Sequence, residues 1–233
     1  FSYFECINYD AANTIGVMSP SNLEYFKTRF SNTNKFQVLY NWTSSSKISM
    51  QSKSLRKTLN IEDKVVFFYG GNIGHAQQMI NLIELAKRLI NNSKAHFVFV
   101  GKGDEVPLIL KEKKKYNLTN ITFLPAVSQE DYFKMLSNFD IGLFSLHSDH
   151  KTHNFPGKLL GYMDYEKPIL GCVNAGNDLK QIINENEAGF IVNAGDHNSM
   201  ESNAKKLLEN NLLRSSTGKN GKNLLKKVFS INT

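Results

Sequence analysis

Short apolar runs alternate along most of the chain with stretches in which apolar residues recur every three or four positions. The apolar runs are rich in β-branched and aromatic residues, which is typical of buried strands. They predict strands at residues 65–69, 96–100, 121–124, 141–146, 168–173 and 189–192. The periodic stretches predict amphipathic helices at residues 79–90, 129–139, 178–184, 199–208 and 212–227, and others that end near residue 116 and begin near residue 156.

Six alternations of strand and helix predict a mostly parallel sheet with helices on both faces. Crossover connections between parallel strands are almost always right-handed. The predicted fold class is therefore α/β, a Rossmann-like doubly wound parallel sheet.

Residues 1–63 do not follow this rhythm. They predict one strand at 14–18, one helix at 23–30 and a second strand at 36–40, followed by a polar segment. A single strand–helix–strand unit is too small to bury a core of its own. We therefore predict that residues 1–55 are the tail of an N-terminal domain plus a linker, and that residues 56–233 form the α/β domain. Because the chain also starts without a methionine, we expect it to be a fragment lacking most of that N-terminal domain.

The composition is that of an ordinary globular protein, with 41% hydrophobic and 21% charged residues. No apolar run reaches the ~18 residues that a membrane-spanning helix needs. The two cysteines, Cys6 and Cys172, lie in unrelated contexts, which favours buried thiols and a reducing compartment such as the cytoplasm. The net charge of +7 favours an anionic partner. A nucleic-acid partner is not expected, because no zinc-finger, RNA-binding or recognition-helix motif accompanies the basic residues.

Ligands of open parallel sheets bind beyond the carboxyl ends of the strands, where helices begin. Helix N-termini present unpaired N–H groups and partial positive charge, which attract phosphate groups. Here the expected rim consists of residues 70–75, 101–105, 125–128, 147–158 and 174–178. Its basic residues are Lys102, Lys151, Lys158, His75, His147, His150 and His153. The pattern predicts a phosphorylated ligand.

Several other chemistries are disfavoured by motifs that do not match. The glycines of residues 70–74 fit neither the dinucleotide fingerprint nor the Walker loop, and no nucleophile elbow is present. Acidic residues on the rim before Asp178 are confined to Asp104, Glu105 and Asp149, too few to favour hydrolytic acid–base chemistry. The histidines near residue 150 are spaced for a helix but lie in a predicted loop, so we predict no metal site and no cofactor.

A series of motifs, taken in order, carries a family resemblance. These are VMSPS at 17–21, VLYNW at 38–42, FYGGNIG at 68–74, FVGKGD at 99–104, ITFLP at 121–125, PGKLLGYM at 156–163, KPIL at 167–170 and AGFIV at 188–192. Together they resemble the C-terminal, donor-binding half of family 4 retaining glycosyltransferases with the GT-B fold. The GNIG and PGKL variants most resemble bacterial O-antigen and capsule transferases for L-fucosamine (FucNAc).

This resemblance implies transfer of a sugar, with retention, from a nucleotide diphosphate donor, commonly a UDP-sugar. It places the nucleoside against Gly101, Lys102, Gly103, Asp104, Pro125, Ala126 and Val127. It places the diphosphate against Gly71, Asn72, Gly74, His75, Pro156, Gly157 and Lys158. Its implied catalytic residues are His153 and Lys158. The acceptor, a saccharide or lipid-linked saccharide, would be held mainly by the N-terminal domain, with peripheral membrane contact of the whole protein.

Two departures from the family pattern bear on donor binding. The Arg and Lys of the family's first glycine loop are replaced by Asn72 and by Gln77 or Gln78. The family's two glutamates, the second of which holds the donor ribose, fall near His153 and Gly161, and a glycine cannot bind a ribose. Either cationic rim residues compensate (His75, Lys102, His153 and Lys158), or the domain binds weakly.

The sequence leaves three alternatives to a transferase. A non-catalytic sugar-nucleotide-binding or scaffold domain is favoured by the absent glutamates. A GT-B sugar-nucleotide epimerase would need acidic residues that the rim lacks. A Rossmann oxidoreductase is disfavoured because its glycine fingerprint is missing.

Overall fold

The computed structural model describes residues 2–30, 32–43, 55–150 and 155–230. The strands are Ile15–Val17 (β1), Phe36–Val38 (β2), Val65–Asn72 (β3), Ala95–Lys102 (β4), Ile121–Pro125 (β5), Ile141–Ser145 (β6), Ile169–Val173 (β7) and Gly189–Asn193 (β8). The helices are Ser2–Ala11 (α1), Pro20–Arg29 (α2), Leu55–Thr58 (α3), Ile80–Arg88 (α4), Val106–Lys115 (α5), Gln129–Asn138 (α6), Gly157–Asp164 (α7), Asp178–Glu185 (α8), His197–Glu209 (α9) and Asn211–Val228 (α10). Short 3-10 turns occupy Thr33–Lys35 and His75–Gln77.

Six strands form one parallel sheet in the order β5-β4-β3-β6-β7-β8. From β3 the chain proceeds outward to β4 and β5, and it then returns to β6 and proceeds the other way. The neighbouring strands β3 and β6 therefore mark the switch point, where ligands of such sheets bind. The predicted α/β, Rossmann-like fold is confirmed.

The sheet is buried on both faces because successive side chains along each strand point to opposite sides. Phe67, Tyr69, Phe97 and Phe99 face the helices α4, α5 and α9, and the Phe67 and Phe97 rings stack with centroids 4.8 Å apart. The intervening apolar residues of the same strands face α6, α7, α8 and α10. Burial on both faces explains why these strands read as continuous apolar runs.

The strands β3 and β4 continue past the ends that their apolar runs predict. The pairing runs on through the glycines, with Gly71 opposite Gly101 and Asn72 opposite Lys102. A Cβ atom on Gly101 would lie 1.9 Å from the Gly71 carbonyl oxygen, and Gly101 has a φ of +156°. Only glycine permits this approach. Residues 70–72 are therefore strand and not loop, so β3 ends at Asn72 and not at residue 69 as predicted.

The N-terminal residues form a separate two-stranded parallel sheet, β1–β2, that shares no described strand with the larger sheet. The helix α1 was not predicted, since residues 2–11 carry no clear apolar periodicity. Its Tyr9 ring packs edge-on against Phe26, Phe30 and Phe36, so tertiary contacts support this helix. The domain boundary near residue 55 stays a prediction.

The segment that follows β2 lies against the larger domain. The Tyr40 ring contacts the rings of Phe155 and Phe229, with centroids 6.4 and 5.2 Å away. The Thr43 N–H donates to the Phe229 carbonyl oxygen at 3.1 Å. These contacts hold Trp42 and Thr43 beside the carboxyl edge of the sheet. In the part of the chain that the structure describes, no helix is both long and apolar enough to cross a membrane.

Candidate active site at the switch point of the sheet

Two adjoining clefts open at the carboxyl edge of the sheet, each with a volume of about 410 Å³. The first cleft lies at the ends of β3 and β4, beside the loop after β5, and is lined by Gly71, Asn72, Val100, Gly101, Lys102, Ala126, Val127, Ser128, Gln129 and Tyr132. The second cleft lies at the start of α7 and is lined by Trp42, Thr43, Gly70, Gly71, Gln129, Tyr132, Phe133, Gly157, Lys158, Leu160, Gly161 and Asp164. A ligand of nucleotide size can occupy both clefts together.

Lys158 is the cation of the second cleft. Its ammonium nitrogen is buried, lies 3.8 Å from the centroid of the Tyr69 ring and has no hydrogen-bond partner among the described residues. Burial lowers the pKa of Lys158 to about 7. Since the ammonium lies against Gly71, a bound anion at that glycine would supply the missing partner.

The start of α7 is open toward the same cleft. Pro156 is the N-cap residue, and none of the side chains that the structure describes caps the helix there. Among the described residues, apart from the helix's own backbone and the chain neighbours, no atom lies within 4 Å of the position that a Cβ of Gly157 would occupy. An uncapped helix N-terminus presents N–H groups and partial positive charge, so α7 adds a second attraction for an anion beside Lys158.

The turn after β3 differs from the prediction that its backbone amides bind a diphosphate. The Gly74 N–H donates to the Gln77 side-chain oxygen at 3.1 Å, and the His75 N–H donates to Asp104 Oδ1 at 3.1 Å. The two backbone N–H groups, which were predicted to bind the diphosphate, are therefore already hydrogen-bonded to side chains. Asp104 holds this turn and does not line the first cleft.

The structure brings together about half of the predicted site residues. Those that line the first cleft are Gly71, Asn72, Gly101, Lys102, Ala126 and Val127. Those that line the second are Gly71, Gly157 and Lys158. The remaining described members of the predicted set line neither cleft, namely Gly74, His75, Gly103, Asp104, Pro125 and Pro156. His153 and Lys151 lie outside the described residues.

Gly103 and His75 show why some rim residues miss the clefts. A Cβ on Gly103 would lie 2.1 Å from the Ile73 carbonyl oxygen, so this glycine serves close packing of the backbone. The His75 side chain is exposed, and its ring lies 4.7 Å from the His147 ring, centroid to centroid. Among the described residues, no group of three or more histidine, cysteine or carboxylate side chains could hold a metal ion.

Sequence reasoning missed Tyr132, Gln129 and Trp42, all of which line a cleft. Tyr132 reads as an apolar position of α6, and no motif marks it. Its ring lies beside Gly161, where a Cβ would be 3.9 Å from Tyr132 Cε1. Leu136 Cδ1 is nearer, at 3.3 Å, so two side chains of α6 border Gly161.

The paired clefts lie at the sheet's switch point, where ligands of doubly wound folds bind. The sequence profile of the family "Glycosyl transferases group 1" matches residues 51–224. The chain belongs to this glycosyltransferase family.

Relatives with curated names are similar at low identity. The probable glycosyltransferase WbjE of Pseudomonas aeruginosa is 23% identical over 185 residues, which cover 78% of this chain and 46% of WbjE. The uncharacterized glycosyltransferase MJ1069 of Methanocaldococcus jannaschii is 21% identical over 224 residues, covering 95% of this chain and 56% of that protein. The chain thus spans about half the length of these relatives.

Solved glycosyltransferase structures share the fold. Anabaena HepE, crystallised with UDP-glucose, has a TM-score of 0.79 at 14% identity, covering 94% of this chain and 60% of HepE. S. aureus TarM, crystallised as a mutant with Fondaparinux, alpha-GlcNAc-glycerol and UDP, has a TM-score of 0.77 at 14% identity, covering 96% of this chain and 42% of TarM.

Proposed function

We propose that this chain binds the nucleotide-sugar donor of a retaining glycosyltransferase, with a UDP-sugar as the donor. The observation that carries the proposal is Lys158, whose buried ammonium has no hydrogen-bond partner among the described residues and lies at the uncapped start of α7. An anion bound there would pair with the ammonium and with the helix N-terminus at once.

The first cleft is suited to a nucleoside. Its walls are largely apolar and backbone surfaces, from Val100, Ala126 and Val127 and from the glycines that end β3 and β4. Lys102 lies at the same edge and can reach polar groups of a base or sugar. UDP is the preferred nucleotide because HepE, which shares the fold, was crystallised with UDP-glucose.

The second cleft would hold the diphosphate. Gly71 lies at the boundary of both clefts and has no side chain to obstruct a linking phosphate. Lys158 and the α7 N-terminus would stabilise the diphosphate as its bond to the anomeric carbon breaks and a bond to the acceptor oxygen forms. Lys158 is therefore the proposed catalytic residue. The proposed role of His153 stays a prediction.

The finer assignment rests on the motif resemblance. The GNIG and PGKL sequences favour an amino or deoxy sugar such as L-fucosamine, and a role in O-antigen or capsule synthesis. The acceptor would be a saccharide or lipid-linked saccharide, bound mainly by a further N-terminal domain at the cytoplasmic face of the membrane. The open α7 start and Lys158 could also serve a domain that binds donor without transfer, which the glycine at 161 favours.

Calorimetric titration with UDP, GDP and uridine tests donor binding. We expect UDP to bind most tightly and uridine at least about tenfold more weakly, because uridine lacks the phosphates that Lys158 pairs with. Lys158→Met should weaken UDP binding by about 1–3 kcal/mol, the scale of a hydrogen bond to a charged group. Lys167→Met is the matched control, since Lys167 also has a burial-lowered pKa but lines neither cleft. Absence of UDP binding to the folded chain would refute the proposal.

A further inference from the structure

The chain has one tryptophan, Trp42, and this residue is 56% exposed. It lines the second cleft together with the start of α7, and it does not line the first cleft. Among the described residues, none packs an aromatic ring against the indole or accepts a hydrogen bond from it. Tryptophan is highly buried on average and is enriched where ligands and partners bind, so an open indole in a cleft indicates a contact surface.

The backbone is fixed on both sides of Trp42. The Asn41 side-chain amide donates to the Phe155 carbonyl oxygen at 2.7 Å, and the Thr43 N–H donates to the Phe229 carbonyl oxygen at 3.1 Å. Phe155 directly precedes the N-cap residue of α7, so the first of these bonds holds Trp42 beside the start of that helix. The fold therefore fixes where Trp42 lies and leaves it exposed at the cleft.

The order of groups in a nucleotide sugar decides which of them reaches Trp42. Base, pentose, diphosphate and sugar are joined in that order, so a nucleoside in the first cleft and a diphosphate at Lys158 leave the sugar farthest from the first cleft. A diphosphate needs cations and N–H donors, whereas a hexopyranose presents C–H groups on the face of its ring. An aromatic face attracts such groups through dispersion and through its quadrupole, so an indole suits the sugar better than the diphosphate.

We propose that Trp42 stacks on the sugar of the bound donor and thereby distinguishes a nucleotide sugar from the nucleotide alone. The inference rests on the proposed function and adds the residue that contacts the transferred sugar. Trp42 follows β2 and belongs to the segment that connects the small sheet to the larger domain. The sugar would therefore lie between this segment and the start of α7.

The test uses the intrinsic fluorescence of the chain, because all of its indole emission comes from Trp42. UDP, UDP-glucose and UDP-N-acetylglucosamine are titrated by fluorescence and by calorimetry. We expect at least one sugar nucleotide to change the emission of the wild type more than UDP does. Trp42→Ala should weaken binding of that sugar nucleotide about fivefold relative to UDP, while the affinity for UDP changes by less than about twofold.

Two further variants separate the aromatic contact from other effects. Trp42→Phe keeps an aromatic face, so it should recover part of the lost affinity for the sugar nucleotide. Tyr116→Ala is the matched control, because it also removes an exposed aromatic ring but lies outside both clefts. It should change the affinity neither for UDP nor for the sugar nucleotide.

Three results would overturn the role of Trp42. The wild-type emission could respond equally to all three ligands, Trp42→Ala could keep the wild-type ratio of sugar-nucleotide to UDP affinity, or Trp42→Ala could weaken all three ligands equally. The last result would assign the indole to the nucleotide or to the fold. In each case the wild type still binds UDP, so the donor-binding proposal survives. If UDP does not bind to the wild type, the donor-binding proposal fails and this one fails with it.

Discussion

The ammonium nitrogen of Lys158 lies 3.8 Å from the centre of the Tyr69 ring, and burial lowers its pKa to about 7. A cation above an aromatic ring gains about 0.5–2 kcal/mol. The lowered pKa shows that the loss of hydration outweighs this gain, because an unpaired buried charge is costly. Lys158 therefore occupies a position that is unfavourable for folding and suited to pairing with an anion.

Replacing Lys158 should stabilise the chain in a pH-dependent way. The pKa of Lys158 is about 7 in the folded chain and 10.5 for an ordinary lysine. Below pH 7 both states are charged, so the folded state carries the full burial penalty, and this penalty shrinks as pH rises from 7 to 10.5. We expect Lys158→Met to raise the free energy of unfolding by about 1–3 kcal/mol at pH 7 and by much less at pH 10. Urea unfolding at both pH values measures the difference; an equal gain at the two would contradict it.

Binding of UDP should take up a proton above pH 7. There the folded chain holds Lys158 mostly neutral, whereas a bound diphosphate favours the charged form. UDP affinity should therefore fall as pH rises from 7.5 to 9.5, by up to about tenfold per pH unit. Calorimetry in two buffers of different ionisation enthalpy counts the protons directly. Lys158→Met should bind UDP weakly with no such proton uptake, and uptake that persists in this variant would assign the proton to another group.

A methyl group at Gly101 should disrupt the edge that both clefts share. It would meet the Gly71 carbonyl oxygen at 1.9 Å, at a φ of +156° that other residues rarely adopt. We expect Gly101→Ala to cost more than about 2 kcal/mol of folding stability, and to weaken UDP binding where the chain still folds. Gly221→Ala in α10 is the control. Its Cβ would have neighbours no nearer than 3.6 Å, so it should be neutral or stabilise by up to about 1 kcal/mol. Equal melting temperatures for the two variants would refute the steric argument.

The elements of the larger domain were predictable because its strands are buried on both faces and its helices on one. Apolar runs such as 65–69 and 96–100 mark the strands, and periodic positions such as Leu82, Ala86 and Leu89 mark a buried helix face. Strand ends were less predictable. Gly70 and Gly71 read as a turn, yet pairing with β4 extends the strand through them.

The candidate site was predictable where a motif places backbone at the sheet edge, as at Gly71, Gly101 and Gly157. It was not predictable where a side chain arrives from elsewhere in the chain. Tyr132 comes from α6 and meets Gly70 and Gly161 only after the sheet has formed. The bonding of the His75 amide to Asp104 likewise depends on the distance between two loops.

The sequence alone determined the α/β class, the order of strands and helices, and the edge where a phosphorylated ligand is expected, because these follow from local periodicity and from the rules of parallel sheets. Tertiary structure decided which rim residues line the clefts. It left the Lys158 ammonium without a hydrogen-bond partner among the described residues, and it placed Tyr132 in the wall of both clefts. Burial and pairing of a polar group depend on neighbours that are distant along the chain, and no local pattern records them.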